Sequence, residues 1–369
     1  MKDKICRLDS GWWAALDDRW KQIFNHKLEK GQITEEPTKS ELKKLGSSRL
    51  INCSWQDLHS LEPIRDFTNL RVLICSQNAI RSLEPLQEHK KLEKLFCEGN
   101  PIINLEPLSG LKNLLEIHFG GYGIIKSLSP LEHSKNIRLL RCSSSGVGSL
   151  EPIRNMIHMK ELDVSFNSIS DLDPIKSLKN IQALDVSYNK IIDISPLRFL
   201  KNIELLDVSY NNLGSIKSIE DLVEVKELKC SKTGLTELGA LLGMTKMRFL
   251  DFKENSVENI YPLHNMKELY WLNASNNAIA DLSPIVDCNN IETLILDSNS
   301  FSDINPLSML RKLKWVSIED NQVSSIDALN FNEQLEYVSC RRNKIDAHIR
   351  YSQAEKTFHK FHPNCEVYW

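Results

Sequence analysis

The sequence contains few of the residues that interrupt regular structure, with 14 glycines and 13 prolines in 369 residues, and only 7% of its residues are aromatic. Together with 41% hydrophobic and 26% charged residues, these contents exclude a largely disordered chain. No apolar run approaches the roughly 18 residues needed to span a bilayer. The net charge of -3 is far from the basic excess typical of nucleic-acid-binding proteins. We therefore expect a folded protein that binds neither nucleic acid nor membrane.

The first residues also lack the apolar core of a secretion signal, since Met1–Arg7 leads directly to Trp12, Trp13 and Asp17. We expect the protein to be cytoplasmic. The alternative is an effector that is exported without a cleaved signal peptide.

Sequence motifs of catalysis are missing as well. The chain contains no G-x-G-x-x-G, G-x-x-x-x-G-K, H-E-x-x-H or G-x-S-x-G. Gly120-Gly121-Tyr122-Gly123 could suggest a phosphate-binding loop, but a kink in an irregular repeat is the better interpretation. His118 lies beside Glu116 with no nucleophile on adjacent repeats except Ser143. We predict no enzyme activity, no catalytic residue and no cofactor.

What the sequence does contain is a repeat of 22 residues, marked by proline. The prolines are Pro63, Pro85, Pro107, Pro130, Pro152, Pro174, Pro196, Pro262, Pro284 and Pro306, with Ser218, Ala240 and Ala328 in register. One step, from Pro107 to Pro130, has 23 residues. Fourteen units result, and they predict three regions: a helical N-terminal cap (1–47), the repeats (48–345) and a C-terminal cap (346–369).

Each unit predicts a short strand, a turn and a helical or irregular segment. In the unit that begins at Ile181, Leu184 and Val186 are two residues apart, so both point inward from a strand that pairs in parallel with its equivalents. Asn189 follows where the chain leaves the strand, and stacked asparagines can form a hydrogen-bonded ladder. Pro196 then begins a short helical turn.

Most of the nine cysteines fall on inward positions of this pattern. Six share the position of Val186, namely Cys53, Cys75, Cys97, Cys142, Cys230 and Cys340. Cys288 takes an inward position in the segment after the turn, and only Cys6 and Cys365 lie outside the repeats. Reduced cysteine behaves as a small buried hydrophobe, so these positions indicate a reducing compartment.

Both ends predict caps, which a solenoid needs to cover its terminal core. At the N-terminus, residues 11–30 have the apolar spacing of one amphipathic helix, and Thr38–Glu41 forms a capping-box pattern before a second helix. At the C-terminus, we expect a closing helix from Ile349, Ala354, Phe358 and Phe361. His359, His362 and Cys365, with His348 upstream, have a spacing that could bind a metal. Pro363 interrupts that arrangement, so we predict no metal site.

The repeats resemble the 22-residue leucine-rich repeats of bacterial internalins and of the leucine-rich regulatory subunit of type 1 protein phosphatases. The stretch from Leu184 to Leu197 is most similar to the internalin version, because of its Ser-Pro-Leu element. The resemblance implies an α/β solenoid: a right-handed, curved leucine-rich-repeat horseshoe with a parallel concave sheet, short helical or irregular convex turns and a partner protein held on the concave face.

Strand side chains on either side of the inward pair point away from the core. From these we select as candidate partner-binding residues Asp163, Phe166, Asp185, Tyr188, Asp207, Tyr210, Phe249, Asp251, Trp271, Trp315 and Tyr337. Stacked aspartates about 4.8 Å apart repel one another and would favour a basic partner. Alternatively, they accept hydrogen bonds from adjacent repeats. The aromatic residues are either interface anchors or cross-strand packing.

These features predict a monomeric, non-catalytic scaffold that binds a protein partner of unknown identity. The alternative is a regulatory subunit or effector that modulates a partner enzyme such as a phosphatase. A carbohydrate-binding role is a more distant third possibility.

Overall fold

The computed structural model describes residues 8–30, 36–345 and 358–369. The chain divides into two compact units, Met1–Ile181 and Gln182–Trp369. Within the described residues, no helix is both long enough and apolar enough to span a membrane.

The first unit begins with three helices and continues into a parallel sheet in which each strand pairs with the next along the chain. The helices are α1 (Ser10–Ala14), α2 (Asp18–Lys27) and α3 (Lys39–Gly46). The strands are β1 (Leu50–Asn52), β2 (Val72–Ile74), β3 (Lys94–Phe96), β4 (Glu116–His118), β5 (Leu139–Arg141) and β6 (Glu161–Asp163).

The second unit contains nine strands, again parallel and paired in chain order. They are β7 (Ala183–Asp185), β8 (Leu205–Asp207), β9 (Glu227–Lys229), β10 (Phe249–Asp251), β11 (Trp271–Asn273), β12 (Thr293–Ile295), β13 (Trp315–Ser317), β14 (Tyr337–Ser339) and β15 (Glu366–Tyr368). Every residue of β7 to β13 lies opposite the residue 22 positions later, for example Leu184 opposite Leu206.

A short 3₁₀ helix follows each strand from β1 to β13, as the proline pattern predicts. In Ser195–Phe199, Pro196 occupies the first turn, where its missing N–H costs nothing. The carboxylate of Asp193, which precedes the N-cap residue Ile194, accepts a hydrogen bond from the backbone N–H of Ser195 (2.7 Å) and so satisfies the first N–H of the helix. Strands and 3₁₀ helices bury leucine, isoleucine, valine and cysteine between them. This architecture confirms the leucine-rich-repeat solenoid fold.

In ten of the repeats an asparagine follows the strand, and its side chain joins neighbouring repeats through the backbone. The Nδ2 group of Asn211 donates to the carbonyls of Val208 and Val186, each at 3.0 Å. Its Oδ1 atom accepts from the N–H of Ile191 at 3.0 Å. The ladder predicted from the sequence therefore runs from each amide to the backbone of the preceding repeat, and not from one asparagine to the next.

The residue before each asparagine adopts a left-handed backbone conformation. Tyr188 has φ 51° and Tyr210 has φ 55°. A residue other than glycine in this region costs roughly 1–2 kcal/mol, which the hydrogen bonds of the following asparagine amide offset. The conformation leaves the Tyr188 side chain exposed beside the strand face.

The N-terminal residues form two short helices where the apolar spacing predicts one helix over 11–30. The first helix, α1, ends at Ala14, and Asp17 then accepts from the N–H of Trp20 at 2.8 Å and starts α2. A second N-cap within the apolar pattern divides the helix. The ring of Phe24 stacks on Phe67 in the first repeat, with centroids 5.5 Å apart.

The C-terminal tail adds a strand, β15, beside β14. The carbonyl of Tyr368 accepts from the N–H of Cys340 at 2.8 Å, and the N–H of Glu366 donates to the carbonyl of Glu336 at 2.9 Å. Residues 358–361 are helical. The predicted helix residues Ile349 and Ala354 lie outside the described residues, as do His348 and Cys6.

All eight cysteines in the described part of the chain are buried and free of disulfides. Burial raises the pKa of the Cys53 thiol to about 12 and that of Cys75 well above its usual value. The inward positions assigned to them from the repeat are confirmed, since Cys53, Cys75, Cys97 and Cys288 are at most 1% exposed.

Candidate functional site

The exposed face of β7 to β14 carries most of the predicted partner-binding residues, and we call it the strand face of the second unit. Three pairs of aromatic rings lie on it. Phe249 stacks on Trp271 with centroids 4.0 Å apart and planes 5° apart. Trp315 stacks on Tyr337 at 3.7 Å and 9°.

The third pair lies at the other end of the strands, where the chain turns. Tyr188 and Tyr210 stack with centroids 4.0 Å apart and an angle of 10° between their planes. Tyr188 is 38% exposed and Trp315 is 44% exposed. Both alternatives left open by the sequence therefore have support here: the rings pack across strands, and they also present apolar area to solvent.

Three aspartates occupy the centre of the same face. The Oδ1 atom of Asp185 accepts from the N–H and the hydroxyl of Ser187, at 2.9 and 2.7 Å. Asp207 accepts from the N–H of Ser209 at 2.9 Å. Asp251 accepts from the hydroxyl of Ser231 on the preceding repeat at 2.7 Å. One oxygen of each carboxylate is thus used inside the repeats, while the carboxylate charge remains on the face.

Asp207 differs electrostatically from an ordinary surface aspartate. Burial raises its pKa above the usual value, and the nearby charge of Asp251 acts in the same direction. The hydrogen bonds from Ser209 and the ammonium group of Lys229, 3.9 Å away, act in the opposite direction without cancelling the shift. The face therefore holds this carboxylate in a partly desolvated environment, in which a cationic group of a partner would interact strongly.

Lysine and arginine side chains on this face were not selected from the sequence. Lys229 lies 5.7 Å from the ring centre of Phe249, and Lys232 lies 5.6 Å from that of Tyr210. Arg341 lies 5.0 Å from the ring centre of Tyr368 on β15. The repeat pattern contained this information for the lysines. Lys232 holds the position of Tyr210 one repeat later, and Lys229 pairs with Asp251, two residues after Phe249 on the neighbouring strand.

The remaining two predicted residues, Asp163 and Phe166, lie in the first unit. Asp163 accepts from the N–H and the hydroxyl of Ser165 at 3.0 and 2.7 Å, as in the other repeats. Phe166 is 52% exposed.

The first unit also holds a buried histidine between two carboxylates. The Nδ1 atom of His118 is 2.9 Å from Glu98, and its Nε2 atom is 3.2 Å from Glu116. Burial alone would raise the pKa of Glu98, but hydrogen bonds from His118 and Ser76 outweigh it and lower the pKa. Glu116 was noted from the sequence, and Glu98 was missed because it comes from the preceding repeat.

Two N–H groups of the glycine-rich segment in the irregular repeat donate to the backbone of the next repeat. The N–H of Gly121 donates to the carbonyls of Ser143 and Ser144 (3.2 Å each), and that of Gly123 donates to Ser144 at 2.7 Å. These bonds leave neither group for a phosphate, which supports the interpretation of this segment as a structural kink.

Within the described residues, no group of three histidine, cysteine, aspartate or glutamate side chains is placed to hold a metal ion. The Nε2 atom of His362 lies 3.1 Å from the backbone carbonyl of Leu329, and the Cys365 thiol is buried. Of the three residues in the H-x-x-H-x-x-C spacing, these two contribute to the packing of the C-terminal tail.

No protein-family model matches the sequence, and no curated protein matches it either. Several solved structures do match this chain. An internalin from Listeria monocytogenes is 24% identical, with a TM-score of 0.84 over 91% of this chain and 98% of that one. A leucine-rich-repeat protein of Leptospira interrogans is 20% identical, with a TM-score of 0.77 over 91% of this chain and 87% of its own.

A third structure is the functional domain of the internalin InlJ from Listeria monocytogenes, which includes a cysteine ladder. It is 21% identical, with a TM-score of 0.73 over 91% of this chain and 76% of that domain. At these identities the likeness concerns the fold alone. The chain thus has the leucine-rich-repeat fold of internalins.

Proposed function

We propose that this chain is a non-catalytic scaffold that holds a protein partner on the strand face of its second unit. The observation that carries the proposal is the set of three aromatic stacks on this one face. A solvated sheet face gains little from tryptophan, whereas interfaces are enriched in tryptophan and tyrosine anchors. The stacks are also rigid, so little side-chain entropy is lost when a partner binds.

The aspartates support a partner with cationic groups. Asp185 and Asp207 face each other across adjacent strands, and the pKa of Asp207 is already raised by burial. A lysine or arginine of the partner would relieve the repulsion between the two carboxylates.

The fold itself is used for peptide recognition elsewhere. The plant peptide hormone receptor RGFR1 in complex with RGF2 shares it, with 19% identity and a TM-score of 0.64 over 82% of this chain and 57% of that one. Stacked buried thiols in consecutive repeats suit a reducing compartment, so we propose that the partner is met in the cytoplasm.

The repeat supplies substitutions that remove the rings and keep the fold. The position of Tyr188 and Tyr210 is held by Asn276 in a later repeat, and that of Trp271 and Trp315 is held by Thr293. The test variant is therefore Tyr188→Asn, Tyr210→Asn, Trp271→Thr and Trp315→Thr. Asparagine also tolerates the left-handed backbone at the first two positions.

The matched control carries changes on the 3₁₀ segments, where Tyr261 and Phe331 are 57% and 56% exposed. In it, both residues are replaced by serine. Each protein is used as bait in its native lysate, captured proteins are identified, and binding is repeated with purified components. We expect one protein to bind the wild type and the control stoichiometrically and to be lost by the strand-face variant.

Capture of the same protein by a folded strand-face variant would place the binding surface elsewhere and contradict the proposal. If the captured partner is an enzyme, its activity with and without this chain separates a passive scaffold from a regulatory subunit.

A further inference from the structure

We infer that the strand face of the second unit contains a slot for a branched aliphatic side chain of an extended, basic peptide segment of the partner. This inference rests on the proposed function and specifies the chemistry of the partner. It comes from the spacing of two aromatic stacks.

The slot lies between Trp271 and Trp315. Thr293 separates them, since Trp271 pairs with Thr293 on β12 and Thr293 pairs with Trp315 on β13. Each indole is covered on its outer face, Trp271 by Phe249 and Trp315 by Tyr337, with nearly parallel planes. The two inner faces are therefore turned towards the Thr293 strand. Among the described residues, no aromatic ring or cation contacts them.

The width of the slot selects its occupant. Two inter-strand steps place the indole planes roughly 9.6 Å apart. Carbon atoms in contact with each plane at about 3.7 Å would leave about 2 Å between those two atoms. That remainder is close to the separation of the two terminal methyl carbons of leucine or valine. A single flat ring would touch only one indole.

The floor and rim of the slot favour an apolar group over a sugar. Ile295, which is partly exposed, follows Thr293 on the same face of β12. Two hydroxyls beside the slot are already bonded: that of Ser275 donates to Asn273 at 2.8 Å, and that of Ser317 donates to Asp297 at 2.6 Å. A sugar requires several polar partners around its ring, whereas Thr293 contributes a single hydroxyl between the two indoles.

Negative charge lies beyond the slot, along the same strands. Asp297, Glu319 and Asp320 follow β12 and β13, and among the described residues the one cationic group paired with any of them is Arg342, 3.5 Å from Glu319. Asp297 is four residues after Thr293, a distance of about 13 Å along an extended chain. A partner segment parallel or antiparallel to β12 would place side chains four residues apart over both points. Charge complementarity therefore predicts an aliphatic residue and, four positions away, a lysine or arginine.

The test is a selection from a displayed library of random peptides, using the full chain and a Thr293→Trp variant as baits. Tryptophan at this position would continue the stack from Phe249 to Tyr337 and fill the slot. We expect wild-type selections to be enriched in leucine, isoleucine or valine with a basic residue four positions away. A synthetic peptide of that pattern should lose about tenfold or more in affinity for Thr293→Trp, and little for the control Thr293→Ser.

A second variant keeps the test decisive if Thr293→Trp fails to fold: Thr293→Leu fills the slot with an aliphatic group. Charge is tested with Asp297→Asn and Asp320→Asn together. In this variant, replacing the basic residue of the peptide with glutamine should cost much less affinity than it does in the wild type.

Several outcomes would overturn the inference. They are equal peptide binding by the wild type and the slot-filling variants, selection of aromatic residues at the aliphatic position, and glycan-array binding that disappears in Thr293→Trp. A native partner retained by Thr293→Trp but lost by the four-residue strand-face variant would eliminate the slot and leave the proposed function standing. A partner retained by both variants would eliminate the proposed function as well.

Discussion

Asn211 is hydrogen-bonded to Val186, which precedes it by 25 residues: its side-chain Nδ2 donates to the Val186 carbonyl at 3.0 Å. The same amide also accepts from the N–H of Ile191. Replacing Asn211 with alanine removes the partner of the Ile191 N–H and of the Val208 carbonyl, while the Val186 carbonyl keeps its bond from Asn189. We expect a loss of about 3 kcal/mol in the free energy of unfolding. Urea titration followed by circular dichroism measures it.

The adjacent Asn212 provides the control, because its side chain is exposed. Asn212→Ala should change the free energy of unfolding by no more than about 0.5 kcal/mol. Equal effects of the two substitutions would show that the amide does not connect repeats.

Two of the three glycines in the irregular repeat differ in what surrounds them. Gly120 has φ 127°, and a Cβ atom there would lie 2.0 Å from the Ser143 carbonyl oxygen. Gly123 has φ 66° and open space around it. We expect Gly120→Ala to destabilise the fold by more than about 3 kcal/mol, and Gly123→Ala by about 1 kcal/mol through backbone strain alone. Thermal unfolding of both variants measures the difference. A Gly120→Ala protein as stable as Gly123→Ala would contradict the close approach of position 120 to the Ser143 carbonyl.

The buried thiols should resist alkylation. With a pKa of about 12 for Cys53, about one thiol in ten thousand is ionised at pH 8, and burial excludes the reagent besides. Peptide mass spectrometry after iodoacetamide treatment should show labelling of Cys53, Cys75 and Cys97 slowed on the order of a thousandfold or more relative to protein unfolded in urea. Labelling of the native protein at the unfolded rate would mean that these strands open readily.

The raised pKa of Asp207 makes stability depend on pH. Because burial raises this pKa in the folded chain, ionisation of the carboxyl destabilises the fold. The penalty is fully present above the folded-state pKa and disappears as pH falls below the ordinary aspartate range of about 3.9. Asp207→Asn keeps an acceptor for the Ser209 N–H and removes the charge. We expect this variant to be more stable than the wild type at neutral pH, with a difference that shrinks as the solution is acidified.

Denaturation midpoints across pH measure that difference. The comparison variant is Asp207→Ala, which also loses the acceptor and should be less stable than Asp207→Asn throughout. A difference between wild type and Asp207→Asn that grows on acidification would reverse the sign of the argument.

The repeat spacing was sufficient to predict strands, turns and inward positions, because the buried positions recur in every repeat and are occupied by apolar residues. The break between α1 and α2 was missed, since Asp17 functions as an N-cap only if the chain turns before it, and apolar spacing does not record that turn. The stacking of the aromatic rings in pairs could not be predicted from the sequence either. The sequence places Trp271 and Trp315 at the same repeat position, but which face of each ring is covered depends on side-chain rotamers and neighbouring strands. The contact of His118 with Glu98 joins two different repeat positions in adjacent repeats. Comparing residues that share one repeat position therefore does not reveal it.

The pairing of β15 with β14 has a consequence for the solubility of truncated forms. Without Glu366–Tyr368, the N–H of Cys340 and the carbonyl of Glu336 would lose the partners they have in the tail. Such an open strand edge is a template for strands of other molecules. A protein shortened before Cys365 would therefore be prone to edge-to-edge aggregation, from which Glu366–Tyr368 protects β14 by pairing with it.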